Sequence, residues 1–425
     1  MITMRESKDK LSIGSFLIAV LMLVLVDIGE GMTLRSYCLY AVCGAILFYN
    51  IVLMFIERDK LFINSELIIL FIFFVFCCIT YLWALDQALV LYRIKVLFFS
   101  LALIVVVVNQ FKREGRFIDF IHFYWAAGLI LSILCIIHFR INGIIDMIIH
   151  GIRLGEDDAL YMGINSNTIG LDCASAGIIS LYLYIFRKKR YALLASLPTM
   201  IIVVATSSRK GMSTLLIGII LVMFFYQMYI GKDVIYILIR TVLFTAALFF
   251  ILGLVLQMPG LEKAKEQYMG FVNSLIGNSE QIDISTATRN KMVSIGLQQF
   301  IKTPILGIGL DNGQIINFKY NNFPAYLHNN YIELLVDVGL VGTIMYYSFF
   351  SVLLIKHMKR MFEKEPIVYI STILLIIRLL SDWGRVSYYD YMNIPLYAFW
   401  ITVACGFPLN TGNERGINKK YMYIR

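Results

Sequence analysis

GMSTLLIGIILVMFFYQMYIGKDVIYILIRTVLFTAALFFILGLVL, residues 211–256, decides the fold class. Two apolar runs of about 20 residues, joined by Gly231-Lys232-Asp233, are each long enough to cross a bilayer core of about 30 Å. They are continuous rather than alternating, so membrane helices are expected and barrel strands are not. Working outward, similar runs lie near 11–27, 36–56, 62–84, 89–108, 117–138, 166–186, 191–206, 329–355, 367–382 and 389–407. The 425-residue chain is therefore expected to be all-α and polytopic, with about twelve transmembrane helices in one integral membrane domain over 1–425. Composition agrees: 59% of residues are hydrophobic and only 15% charged, against roughly 25% charged in soluble domains. A water-soluble enzyme and a disordered chain are both excluded. The first run follows Arg5, Lys8 and Lys10, but the DIGEGMT after it lacks a small-residue cleavage site, so it reads as a retained span.

The formal charge of +9 does not call for nucleic acid in such a chain; the excess belongs in cytoplasmic loops. With both termini inside, 21 of the 37 basic residues fall in inner segments. Seven cysteines all lie in apolar runs, without CxxC pairs or Cys/His clusters, which supports neither disulfides nor zinc. Two outer segments exceed ordinary connections, about 139–165 and 257–328. The two halves of the chain show no self-similarity of the kind expected of a repeat-built transporter. This asymmetry suggests an enzyme with one large external cap. Within the loop at 257–328, Ser285 or Thr286 can cap an amphipathic helix carrying Met292, Ile295, Phe300 and Ile301. Pro304 ends it, and PILGIGLDNG places three glycines where backbones must approach closely. No GxxxxGK[ST] supports ATP-driven transport. No outer DxD supports a divalent metal, so neither metal nor cofactor is expected.

Candidate chemistry gathers at the outer boundary. Arg153, Arg209, Arg289, Arg378 and Arg385 are placed there. Each alone can snorkel or pair with a carboxylate; converging, they would suit a lipid diphosphate, because guanidinium is planar and permanently charged. His328, in YLHNNYIELL, is either a loop anchor or a proton acceptor. Glu333 and Asp337, four apart in the run 329–355, either form a salt bridge to a neighbouring span, with Arg378 for instance, or orient His328 or an arginine; Asp382 is another candidate partner.

Three segments in register carry a family resemblance. TSSRKGMSTLLIG, ATRNKMVSIGLQQFIKTPILGIGLDNG and LHNNYIELLVDVGLVG resemble the conserved segments of bacterial O-antigen ligases and Wzy-type polysaccharide polymerases. IRLGEDDALYMGINSNTIG is a weaker match. The resemblance covers about 180–342. Lys210 stands where the family often has Gly, and Ser166 where Pro is frequent. What it implies is a GT-C-like, metal-independent glycosyltransferase in a bacterial cytoplasmic membrane. The implied donor is an undecaprenyl-diphosphate-linked oligosaccharide at the outer face, and the implied product a capsule, exopolysaccharide or O-antigen. Carried over residue by residue, His328 would be the general base, and Arg209 and Arg289 would bind the diphosphate. Arg378, Arg385, Tyr388 and Tyr389 are placed by topology to line the same cavity. Polymerase is preferred over ligase, and a chain-length regulator and a flippase are partners the resemblance allows. A polytopic transporter or lipid-linked oligosaccharide flippase is the alternative of another class; it would need cations along a transmembrane path, whereas few lie mid-span, Arg93, Lys95 and Arg240.

Overall fold

The computed structural model describes residues 12–25, 33–58, 60–150, 152, 154, 166–255, 257, 262, 265, 269, 284–322 and 325–408. Among the described residues there are fifteen α-helices and no strand. In chain order they are α1 (Ile13–Leu25), α2 (Thr33–Glu57), α3 (Ser65–Ile79), α4 (Gln87–Glu114), α5 (Ile118–His150), α6 (Ser166–Ile185), α7 (Arg190–Ala205) and α8 (Arg209–Tyr229). There follow α9 (Val234–Val255), α10 (Ile284–Lys302), α11 (Gly313–Asn321), α12 (Asn330–Asp337), α13 (Gly339–Arg360), α14 (Pro366–Ser381) and α15 (Asn393–Cys405). Each of the twelve apolar runs contains a helix. Eight of these helices are long and apolar enough to cross a membrane, while α1, α7, α14 and α15 are apolar but shorter. The chain is a polytopic membrane protein.

The helix ends near the site are built from local capping. The Asp86 carboxylate accepts the Ala88 N–H at 2.8 Å and starts α4. The Ser208 hydroxyl accepts the Gly211 N–H at 3.2 Å and starts α8. Both satisfy amide groups that a helix leaves unpaired at its first turn.

Helix α6 is the central post, buried continuously from Ile169 to Ser180 and packed against α5, α7 and α8. Its small residues permit the close approach that drives helix association in lipid. Backbone meets backbone at Gly170 and Gly211, where a Cβ on Gly211 would come within 2.9 Å of the Gly170 backbone. The first turn of α8 therefore rests on the first turn of α6. A second group joins α3 to α13 and α4 to α15. Trp400, Phe350, Tyr346 and Tyr397 fill its interior, with the two tyrosine hydroxyls 2.8 Å apart. Outside, large apolar side chains such as Phe48, Phe55 and Phe250 are exposed, as lipid-facing positions should be.

The connections sort to two ends of the bundle. At one end the α3–α4 turn meets the segment after α10 through Leu85 N–H on Ile308 carbonyl at 3.1 Å. There too Lys210 donates to the Gly384 carbonyl, and Asn330 N–H donates to Asp382 carbonyl at 2.8 Å. At the other end Lys356 pairs with buried Glu66 at 2.7 Å and Arg113 donates to Asn50 at 2.7 Å. His357 is also buried there, its ring bound to Ser371 at 2.8 Å.

One run is not a single helix. Residues 329–355 divide into α12 and α13 at Gly339, whose φ is +64°. Leu340 and Val341 give their N–H groups to the Pro304 and Ile305 carbonyls at 2.8 and 3.2 Å. The loop thus takes over hydrogen bonds that a continuous helix would make. Glu333 and Asp337 accordingly lie in a short helix ahead of the long apolar span Gly339–Glu363, not inside it. The loop helix α10 begins at Ile284, so Ser285 and Thr286 stand within its first turn rather than at its cap.

Candidate active site

The segment after α10 is wedged against the break between α12 and α13. Ile308 and Gly309 donate to the Val336 and Asp337 carbonyls at 3.0 and 2.9 Å, closing the end of α12. Gly309 has φ +108°, and a Cβ there would lie 2.5 Å from that of Ala84; no other residue type fits. The Asp337 carboxylate accepts the Gly313 N–H at 2.7 Å, the Asp311 N–H at 3.0 Å and the Tyr388 hydroxyl at 3.2 Å. The turn so held presents Asp311 to Arg93 of α4, which donates to it at 2.9 Å. The Arg93 guanidinium also lies 3.5 Å from the Tyr389 ring centroid, a cation–π stack.

His328 is fixed from both sides. The Glu333 carboxylate accepts the Leu327 N–H at 2.6 Å. The Asn329 side chain caps α12, accepting from Tyr331 and Ile332 at 3.0 and 3.2 Å. Asn330 then clips α12 to the loop after α14, accepting the Ser387 and Tyr388 N–H groups at 2.9 and 3.1 Å. Between these anchors His328 has φ +56°, an uncommon conformation for a residue with a side chain. Its ring stands 4.3 Å from that of Tyr326.

A cleft of about 340 Å³ opens at this end of the bundle. Arg93, Lys210, Arg289 and Arg385 line it together with His328. Tyr92, Tyr326, Tyr389 and Tyr391 supply an aromatic wall, and Asn167 and Asp390 polar groups. Asp390 is paired with Arg385, and Lys210 is tied to Gly384. Burial, with Lys210 and Arg289 nearby, pulls the His328 imidazole down to about 4. Near neutral pH it is therefore an uncharged base in a cationic setting. Burial and the adjacent Asp337 push the Glu333 carboxyl well above the usual carboxylate range.

Chain positions far apart meet here: His328, Arg289, Arg385 and Tyr389 line the cleft, along with Arg93 and Lys210. Arg209 is not in the lining; successive residues of a helix point about 100° apart, and on the first turn of α8 it is Lys210 that faces the cleft. Arg378 lines a smaller adjoining chamber of about 60 Å³. It is bound to Asp382 and donates to Asn393 at 3.1 Å. The expected salt bridge from Glu333 or Asp337 to Arg378 is therefore absent among the described residues. Both carboxylates accept loop N–H groups instead, and Arg378 uses the carboxylate one turn on. Tyr388 points away to Asp337. Arg153 lies outside the described residues. Arg93 reads from the sequence as a mid-span charge; its sign of function was an arginine less than two turns into a helix, facing an aspartate in a glycine turn.

With three arginines, Lys210 and a neutral imidazole around one cavity, the site suits transfer of a group from an anionic donor. Residues 191–347 match the family model described as O-antigen ligase, Wzy_C. Over those residues the chain is similar to the O-antigen ligase family. No curated protein matches it significantly. This O-antigen ligase-type region, of a family of membrane glycan ligases and polymerases, contributes Lys210, Arg289 and His328 to the cleft. Arg93, Arg385 and Tyr389 come from outside it, so the cavity needs both parts of the chain.

Proposed function

We propose that this protein polymerises undecaprenyl-diphosphate-linked oligosaccharide repeats at the outer face of the bacterial cytoplasmic membrane. The observation that carries this reading is His328 and Arg289 lining one cleft with Lys210, Arg93 and Arg385. In the reaction, His328 accepts the proton of an acceptor sugar hydroxyl. The freed oxygen attacks the anomeric carbon of the donor glycan. The bond from that carbon to the phosphate oxygen breaks, and undecaprenyl diphosphate leaves with the electron pair. Arg289 and Lys210 stabilise the charge that grows on it. The donor's own diphosphate is the leaving group, so the atoms balance without a cofactor. The aromatic wall holds sugar rings and the lipid tail lies between helices; much of the expected cap at 257–328 lies outside the described residues.

The orientation follows from charge. Lys112, Arg113, Arg116, Arg187, Lys188, Lys189, Lys232, Lys356, Lys359 and Arg360 all fall at the end opposite the cleft. An excess of lysine and arginine marks the cytoplasmic side, which supports a cleft that faces outward. A ligase that passes the glycan to another surface acceptor is the second reading, favoured by the description of the matched family. The test supplies purified protein with a defined undecaprenyl-diphosphate oligosaccharide. A ladder of repeats supports the polymerase. Product only on adding a different acceptor supports the ligase. Lipid translocation in vesicles without either product overturns both. His328→Ala should lower the rate by about 10²–10⁴-fold, and Arg289→Ala by about 10²–10³-fold, with membrane insertion intact.

A further inference from the structure

A second cavity lies far from the His328 cleft. It is a slot of about 390 Å³ between α8 and α9, lined by Met223, Gln227, Arg240, Thr241, Leu243 and Phe244. Along α8, Gln227 is 17 residues from Lys210, or about 25 Å at 1.5 Å per residue. The slot therefore sits near the basic end of the bundle. Arg240 is six residues inside α9, about 9 Å from its start. On a lipid-facing helix this position needs an anionic partner or a route to the headgroups. Among the described residues neither Arg240 nor Lys232 has a carboxylate partner. Their cationic groups lie equally 5.3 Å from the Tyr236 ring centroid, forming a stripe from the α8–α9 turn into the slot. Lys364 adds a third cationic side chain beside Gly231 at the same turn.

Two hydrogen-bonding atoms in the slot are also unmatched. The Gln227 side chain is 5% exposed, yet its oxygen has no partner; nor has the Thr241 hydroxyl. Buried polar atoms left open are costly. The other half of the slot is apolar, through Met223, Leu243 and Phe244. Polar and cationic above, apolar below, it has the build of a phospholipid rather than of a free anion.

We propose that the slot between α8 and α9 binds an anionic phospholipid of the leaflet at the basic end. The phosphodiester sits at Arg240 with the headgroup hydroxyls at Gln227 and Thr241, and an acyl chain lies along Met223, Leu243 and Phe244. Arg240 supplies charge, and the amide and hydroxyl supply hydrogen bonds. The bound lipid fills the space between α9 and the rest of the bundle, against which α9 packs mainly through α8.

Native mass spectrometry of the full chain, released from detergent with phosphatidylglycerol or phosphatidylcholine, tests this. The wild type should retain phosphatidylglycerol preferentially. Arg240→Ala should weaken that retention about fivefold, and Arg240→Lys should keep most of it. Inorganic phosphate alone should not displace the lipid. Equal retention by wild type and Arg240→Ala overturns the proposal, as does displacement by phosphate. An unaltered elution profile for Arg240→Ala separates lost binding from misfolding; if that variant misfolds, Gln227→Leu takes its place with the same expectation.

Discussion

His328 sits at about 4 for two reasons that substitution can separate: burial, and the charges of Lys210 and Arg289. The sign is plain. Taking away a neighbouring positive charge makes protonation easier, so Arg289→Gln should move the imidazole up from about 4 towards its ordinary 6.5. The acid limb of kcat/KM should then rise, and activity at about pH 5.5 should fall relative to pH 8 more than in the wild type. A pH–rate profile of repeat addition, or titration of a labelled imidazole, reads this; an acid limb that stays put removes Arg289 from the His328 environment. Glu333 acts through backbone. Glu333→Ala strands the buried Leu327 N–H at a cost of about 1–3 kcal/mol, whereas Glu333→Gln keeps an acceptor. Thermal unfolding in detergent should drop for Ala and hold for Gln, and equal melting of the two would show that the Leu327 contact is idle. At this scale the sequence is half legible. His328 and Arg289 stand out because their residue types match a chemistry. Lys210 against Arg209 is undecided until the phase of α8 is known, and the backbone partners of Glu333 and Asp337 come from chain positions that no spacing rule connects.

At the scale of elements, the twelve apolar runs are legible because lipid demands about 20 apolar residues per crossing, and each run but 329–355 holds one α-helix. The break at Gly339 is not. Hydropathy has no means of sensing that Pro304 and Ile305, some 35 residues earlier, supply the carbonyls that take α13's first amides. The glycine turn at 307–313 is legible as a turn, but its role as a wedge that aims Asp311 at Arg93 depends on the packed neighbours. That role makes a prediction. Gly309 at φ +108°, with Ala84 against it, leaves no space for a methyl. Gly309→Ala should cost about 1–3 kcal/mol from backbone strain alone and should loosen the Arg93–Asp311 pair. Gly253, with nothing within 4 Å of an added Cβ, is the control: Gly253→Ala should leave the melting temperature unchanged or raise it. Comparable melting of both variants would detach the wedge from the fold's stability.

Across the whole molecule, the decisive feature is parity. Turns that an alternating path would put on one side do meet there: 83–86 with 304–312, 206–210 with 384, and 382–388 with 330. The cleft is formed where they meet, and the basic turns gather at the opposite end. Parity does not by itself say which end is outward; the proposed outward cleft rests on the lysines and arginines at the opposite end. Two exposed aromatic positions at opposite ends make the test. Trp383, in the turn after α14, is 72% exposed, and Phe362, in the turn after α13, is 89% exposed. In a background with the seven native cysteines replaced, Trp383→Cys should react with a membrane-impermeant maleimide on intact cells. Phe362→Cys should react only after the membrane is opened. Neither side chain lines the cleft, so the labelling reports position, not damage to the site. The reverse pattern would turn the cleft towards the cytoplasm, where a translocated lipid-linked donor is not presented, and the polymerase and ligase readings would fall together.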